Sequence, residues 1–525
     1  MRVTIYAKSA QFDMTACAGD NLYAIIRRAG GITLDTPCGG RHTCGKCRVT
    51  ARGGISPAAE AEAKFLTESE LRAGVRLACH TLITGDCEVW VGDASPMTIQ
   101  VEGLRDSQLD LTPAPAPDGT PAKWGVAVDI GTTTVALYLC DLANGVTAAT
   151  DAFVNPQRAH GADVITRLGY IIDNPGTDET HDGAQTLRGL LLGELNAHIT
   201  RLCERTGITP GEIGCAALAG NTVMEHIAAN RDARGIANTP FTVSTLFGYS
   251  LPAAEAGLAV DPAARVYYMP CFAAYVGGDI AAGLVAAGVD TAENTTLFID
   301  VGTNGEMGLG DKSGICLCAT AAGPAFEGAH IERGMAGVDG AVNGVWLEGG
   351  EIKYNMIGGG EPRGICGSGL IDAVAVMLDL GVLDETGRIN NDGEDKFYLN
   401  REHDVYISGR DIRELQLAKA AVCGGVLTLL DDAGLTANDV SRVVLAGGFG
   451  AHINRRSACR IGLIPPELED KINVAGNTAG MGAVSYLMSA AARERIDRIN
   501  GDSTHYLELS CNEFFMDAYI EQMMF

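Results

Sequence analysis

No stretch of this chain approaches 18 consecutive apolar residues, so no membrane-spanning helix is expected. The first 30 residues contain no apolar core of a secretory signal. The pattern Gly-x4-Gly-Lys-Ser/Thr is absent, which excludes an ordinary P-loop. Basic residues are in short supply, with 39 Lys and Arg against 65 Asp and Glu and a formal net charge of −26. Such a chain repels phosphate backbones and anionic lipid, so neither nucleic acid nor a membrane surface is an expected partner. Sixteen cysteines without an export signal point to a reducing, cytoplasmic setting, where they serve as thiols or metal ligands and not as disulfides.

What is present is an ordinary globular composition, 46% hydrophobic and 20% charged, over 525 residues. That length predicts two to four domains. The acidity is uneven. Residues 1–95 carry 11 basic and 10 acidic side chains, which leaves about −27 on the rest. The first unit is expected over 1–94, with strands at RVTIYA, QFDMTA, Cys47–Val49 and Cys87–Val91. Helices are expected from Leu22 to Ala29 and over roughly Pro57–Leu71. Residues 95–123, with Pro113, Pro115, Pro117 and Pro121, read as a linker that is either an extended mobile tether or a loop packed on the surface.

From Trp124 onward strand-like and helix-like segments alternate, the mark of an α/β architecture. A weak repeat runs through it. GVAVDIGTTTVALYL at 125–139 matches TLFIDVGTNGEMGLG at 296–310, and AALAGN at 216–221 echoes VVLAGGFG at 443–450. The same two signatures in the same order imply two similar lobes facing a cleft, one over 124–290 and the other over 291–525, with the C-terminal segment returning toward the first.

Cys38, Cys44 and Cys47 sit in CGGRHTCGKC, and Cys79 follows in RLACHT. A 2Fe-2S cluster needs four thiolates, three from a wrapping loop and one from a separate element. A zinc site also takes four Cys, though usually as two closely spaced pairs, and only one such pair is present. Among the remaining twelve Cys no second four-ligand pattern appears; Cys316 and Cys318 are expected on opposite faces of a strand as small buried residues.

The two Asp-x-Gly-Thr hairpins suit phosphate chemistry. Gly131 and Gly302 let backbone N–H groups point at phosphate oxygens, while Thr132, Thr133, Thr303 and Asn304 add donors. Asp129 and Asp300 would be repelled by phosphate and are instead candidates to hold Mg2+ through water. Glu306 is a candidate for orienting an attacking water, and Asp279 is a further acid that could serve the metal. Gly447, Gly448 and Gly450 in LAGGFG leave bare backbone for an adenine or ribose. Gly367 and Ser368 in ICGSG stand where a helix N-terminus could face the nucleotide. One such hairpin alone would be no more than a tight turn.

The cysteine loop resembles the 2Fe-2S ferredoxins of β-grasp fold, and its one-residue-longer first gap resembles the adrenodoxin-type branch. That resemblance implies cluster ligation by Cys38, Cys44, Cys47 and Cys79. Residues 124–490 resemble the superfamily of actin, sugar kinases and Hsp70 chaperones, which clamp Mg-ATP between two lobes of mixed α/β structure. As a whole the chain resembles the reductive activators of corrinoid proteins, on NPQRAHGADVITRL at 155–168, ALAGNTVMEH at 217–226, RGICGSGLIDAV at 363–374, DIRELQLAKAA at 411–421, GNTAGMGA at 476–483 and ELSCNEFF at 508–515. The resemblance implies ATP-dependent transfer of one electron from the cluster to cob(II)alamin, giving cob(I)alamin for methyl transfer. Its partners would be a corrinoid protein of a methyltransferase system and an upstream low-potential electron donor, and a homodimer is compatible with it. Larger members carry an extra domain after the linker, whereas here Trp124 follows almost at once. Three rival readings stand beside this one: a small-molecule kinase, an activator of another low-potential enzyme, and a redox-controlled ATPase switch.

Overall fold

The computed structural model describes residues 1–525 except 8–9, 30–31, 33, 35, 37–39, 41, 43–44, 67, 93–100, 106–109, 177–181, 303, 391–392 and 451. Two compact units result: Met1–Pro96 with Arg158–Ala162, and Met97–Gln157 with Asp163–Phe525.

The first unit is built on five strands, β1 (Arg2–Ala7), β2 (Ala10–Thr15), β3 (Arg48–Ile55), β4 (Val75–Leu77) and β5 (Ile83–Val91), in the order β2-β1-β5-β3-β4. The central pair β1–β5 is parallel and the other pairings are antiparallel. Val3, Ile5, Val49 and Val89 bury one sheet face against Leu22, Ile25 and Ile26 of the helix Leu22–Ala29, the β-grasp arrangement. The second expected helix is broken. A short 3-10 turn, Glu60–Lys64, and a separate helix, Glu68–Arg72, occupy its place. The cause is Glu62, which is fully buried, paired with Arg76 at 2.7 Å and hydrogen-bonded by the N–H groups of Ala59 and Leu77. Turning that carboxylate inward to four donors is incompatible with a continuous amphipathic helix, whose periodicity had suggested one.

The second unit carries β6 (Trp124–Ile130), β7 (Thr134–Asp141), β8 (Val146–Val154), β9 (Ile213–Gly220), β10 (Tyr249–Pro252) and β11 (Arg265–Tyr268) in the order β10-β11-β9-β6-β7-β8. Next come β12 (Thr296–Val301), β13 (Gly305–Asp311) and β14 (Gly314–Thr320). A small sheet of β15 (Ala341–Glu348), β16 (Glu351–Met356) and β17 (Gly364–Ile365) and a hairpin of β18 (Lys396–Asn400) and β19 (Val405–Ser408) follow. Last are β20 (Arg442–Ala446), β21 (Ile472–Gly476) and β22 (Thr504–Tyr506), which join the earlier three as β21-β20-β12-β13-β14-β22.

The sequence repeat is a structural repeat. In the first large sheet β6 pairs antiparallel with β7 and parallel with β9, and Asp129 stands opposite Ala136 and Ala219. In the second, β12 pairs antiparallel with β13 and parallel with β20, and Asp300 stands opposite Glu306 and Ala446. Both large sheets are buried on both faces, which is why their central strands read as unbroken apolar runs. Val126, Val128 and Ile130 face one core with Leu187, Leu191 and Leu195 of the helix Gly183–Thr206. Leu297, Ile299 and Val301 face another with Leu370, Leu415 and Val422. Between the sheets a third core holds Ala127, Phe298 and Val444 with Ile280 and Leu284 of the helix Gly278–Ala286 and Ala483 and Leu487 of the helix Thr478–Met488.

Two expectations need correction. Cys316 and Cys318 do not face opposite ways. Both point into the core beside β14, because residues i and i+2 of a strand share a face. The described part of the proline-rich stretch is not a free tether either. The N–H groups of Leu104, Thr112 and Ala114 donate to the carbonyls of Ala475, Met488 and Leu487 at 2.7–2.8 Å, and Ala114 and Ala122 are buried. Prolines set an extended backbone, but alternating alanines give it a face that packs.

Candidate functional site

In the first unit Cys47 and Cys79 are both buried, with their Sγ atoms 3.2 Å apart and unlinked, near enough to share one iron. Cys47 leads into β3 and Cys79 sits in the short turn Ala78–His80 before β5, so separate elements supply them, as a wrapped cluster requires. Cys38 and Cys44 lie outside the described residues. The two thiols that can be placed fit one half of a four-thiolate 2Fe-2S site.

In the second unit the two hairpin turns stand at equivalent ends of the two sheets. Gly131 is required at the first: a Cβ there would lie 2.5 Å from the carbonyl oxygen of Thr134. Three side chains fix this loop from behind. Asn155 Nδ2 donates to Gly131 O at 2.9 Å, Asn221 Nδ2 donates to Thr132 Oγ1 at 2.9 Å, and the fully buried Arg167 donates to Thr132 O. Thr133 Oγ1 donates to Glu327 Oε2 at 3.0 Å, a contact from one lobe to the other. In the second turn Gly302 N–H donates to Asn304 O at 2.8 Å, and Thr303 lies outside the described residues.

Four acids converge where the lobes meet. Burial pushes Asp129 up to about 7, with Asp300 adding to the shift and a 2.8 Å hydrogen bond from Asn477 opposing it. Asp279, at the start of Gly278–Ala286, is pushed up to about 8 by burial and then by Asp300 and Asp129. Asp300 is raised to about 6 by burial. Glu306 is held well above the usual carboxylate range by burial, Asp279 and Asp300. Among the described residues no Lys or Arg is among the main charges acting on these four. Mutually repelling carboxylates with no counter-charge are the donor chemistry of a hard divalent cation, so the residues fit Mg2+.

The glycine-rich segment abuts this cluster. Gly447 has φ +87°, and a Cβ on it would fall 2.4 Å from Asp300 Oδ1. Phe449 stacks on Phe326 with ring centroids 5.1 Å apart, and a Cβ on Gly367 would meet Phe449 at 2.4 Å. The helix Gly367–Asp379 therefore begins beside Gly447–Gly450. Gly448 is exposed and Gly450 is buried. Ser368 offers less than expected, because its hydroxyl donates to Asn343 O at 2.8 Å.

Sequence reasoning gave no role to Asn155, Arg167, Asn221 and Asn477, although each lies in a segment that carried the family resemblance. It also passed over Glu225, which is fully buried and held well above the carboxylate range by burial and by Asp279.

This fold and site define a two-lobed nucleotide-binding body of the actin and sugar-kinase type joined to a ferredoxin unit. Comparisons agree. Residues 7–84 match the 2Fe-2S iron-sulfur cluster binding domain, 124–292 match the RACo middle region, and 294–525 match the C-terminal domain of RACo, the ASKHA domain. The chain is 32% identical to the corrinoid activation enzyme RamQ of Eubacterium limosum over 77% of this chain and 70% of that one. It is 24% identical to the [Co(II) methylated amine-specific corrinoid protein] reductase of Methanosarcina barkeri, over 77% of each chain. A solved reductive activator for corrinoid, iron-sulfur protein aligns over 99% of this chain and 98% of its own at 32% identity, with a TM-score of 0.69. The chain belongs to the family of reductive activators of corrinoid proteins. Among the described residues no helix is long and apolar enough to cross a membrane.

Proposed function

We propose that this protein uses ATP to return a corrinoid protein of a methyltransferase system from the cob(II) to the cob(I) state in the cytoplasm. The observation that carries this reading is the union, in one chain, of a ferredoxin-type Cys47–Cys79 thiol pair with a doubled hairpin site whose four acids lack a counter-charge. The named relatives act on corrinoid proteins, and the family membership extends that role to this chain.

Held by Cys38, Cys44, Cys47 and Cys79, a 2Fe-2S cluster would supply single electrons at low potential, which for plant-type clusters is about −400 mV. Each additional 59 mV of uphill transfer costs about 1.4 kcal/mol for one electron, so a corrinoid of lower potential is not reduced efficiently without help. An upstream low-potential donor refills the ferredoxin unit.

The help comes from the second unit. Asp129 and Asp300 would hold Mg2+, with Asp279 beside them, and the ion would offset the negative charge of the phosphates. Backbone N–H groups at Gly131 and Gly302, with Thr132, Thr133, Thr134, Thr303 and Asn304, cradle the phosphates. Gly447, Gly448 and Gly450 and the helix start at Gly367 and Ser368 receive the adenosine, while Glu306 orients the attacking water. Drawing both hairpins onto one triphosphate closes the lobes. The Thr133–Glu327 and Asp129–Asn477 contacts already cross between them. Closure alters the grip on the corrinoid partner.

The test mixes reduced protein with a cob(II) corrinoid protein under anaerobic conditions and follows cob(I) by absorbance, with and without MgATP. Faster or more complete cob(I) formation with MgATP supports the reading. Equal formation in both arms refutes it.

A further inference from the structure

Away from the nucleotide site, one cluster of metal-ligating side chains has no task in the function above. The parallel pairing of β14 with β22 sets Cys316 directly beside His505. The helix Gly409–Asp432 packs over β14 and ends on Asp432. Asp432 Oδ2 lies 3.5 Å from Cys316 Sγ and 3.3 Å from His505 Nε2, and the three candidate ligand atoms all fall within 4.8 Å of one another.

The two distances to Asp432 match two edges of a metal polyhedron. Zinc binds sulfur at about 2.3 Å and nitrogen or oxygen at about 2.0 Å; tetrahedral angles then separate S from O by about 3.5 Å and N from O by about 3.3 Å. Charge points the same way. Asp431 and Asp432 close the helix with no basic residue in its last turn, at the end where the helix dipole is already negative. Cys316 is buried, whereas His505 is mostly exposed, which leaves an approach from solvent.

We propose that Cys316, Asp432 and His505 form a second metal site, separate from the iron–sulfur cluster, that takes zinc(II) with water as its fourth ligand. Binding displaces the thiol proton of Cys316 to solvent, and the metal exchanges no electrons. The site clamps β22, which is only three residues long, to the edge of the sheet. It thereby fixes the chain between the helix Ala490–Ile499 and the C-terminal helix Glu513–Glu521.

The experiment uses the full chain with its cluster reconstituted, equilibrated with a zinc salt, desalted and analysed for zinc and iron together. Wild type should retain about one zinc per chain beside the cluster iron, and zinc-edge X-ray absorption should show a single sulfur neighbour. Cys316→Ser and His505→Ala should each weaken zinc binding by at least about tenfold. The double variant Cys17→Ser/Cys511→Ser, which removes the exposed thiols, should retain it. Because His505 is exposed, His505→Ala tests the site even if Cys316→Ser fails to fold. Zinc absent from desalted wild type, or retained equally by His505→Ala, would overturn the proposal and leave a hydrogen-bonded triad or adventitious zinc only.

Discussion

Replacing Gly447 with Ala tests how the glycine-rich segment and the metal-binding acids depend on each other. The residue has φ +87°, where an L side chain costs about 1–2 kcal/mol. Its new methyl would fall 2.4 Å from Asp300 Oδ1, inside any tolerable contact, so the carboxylate must swing away. If Asp300 holds the metal that bridges the phosphates, Mg-nucleotide affinity should fall by about tenfold to a hundredfold, or about 1.4–2.8 kcal/mol. Gly434→Ala is the matched control. Gly434 has φ +64°, and a methyl added there would meet nothing within 4 Å, so it incurs the backbone cost without disturbing the acids. Calorimetric titration with MgADP should find Gly434→Ala unchanged and Gly447→Ala weakened. Equal affinities in the two variants, with both folded by circular dichroism, would refute the link between this loop and Asp300.

Arg167→Leu removes the buried donor to Thr132 O and Gln157 Oε1, and should destabilise the second unit by about 2–3 kcal/mol in urea melts while weakening MgADP binding. Glu62→Ala leaves Arg76 buried without its carboxylate and should cost the ferredoxin unit about 3–5 kcal/mol, read as a lower midpoint for thermal loss of cluster colour. The pH dependence follows from the raised acids. Asp129, Asp279 and Asp300 bind protons more tightly folded than unfolded, so their contribution to stability is fully present below pH 4 and is lost as pH rises through about 6 to 8. Nucleotide-free protein should therefore lose stability from this source between about pH 4 and 8, and MgADP should reverse that loss, as seen in melting midpoints. In the same window MgADP binding should release protons, detected as a buffer-dependent heat of binding.

Local signals were the legible ones. The spacing of four cysteines and the doubled Asp-x-Gly-Thr hairpin are short patterns, and the helix Leu22–Ala29 and the strands β1, β2, β3 and β5 of the ferredoxin unit follow from periodicities within a few residues. The repeat anticipated two similar lobes, and in each the hairpin and its later Ala-Gly strand prove adjacent in one sheet. What escaped was set by distant partners. Asn477 reaches Asp129 across 348 positions, and Arg167 reaches Thr132 across 35, so neither role has a local signature. The helix expected over Pro57–Leu71 failed because Glu62 bonds forward to Arg76 and Leu77. The proline-rich stretch reads as a spacer in isolation and becomes an ordered strap only through carbonyls some 370 positions away. Cys316 gained metal-ligating neighbours only through strand pairing with His505 and the end of a helix that begins near residue 409.

The central claim is that this chain's own cluster delivers the electron and that nucleotide governs delivery. A single-turnover experiment tests it most directly: protein carrying a reduced cluster, freed of all other reductant, is mixed with a cob(II) corrinoid protein, and both spectra are followed together. The account predicts that with MgATP the cluster reoxidises as cob(I) appears, one for one, and that Asp300→Asn with an intact cluster loses the ATP effect. A cluster that stays reduced while cob(I) forms, or a one-for-one transfer indifferent to MgATP, would contradict it.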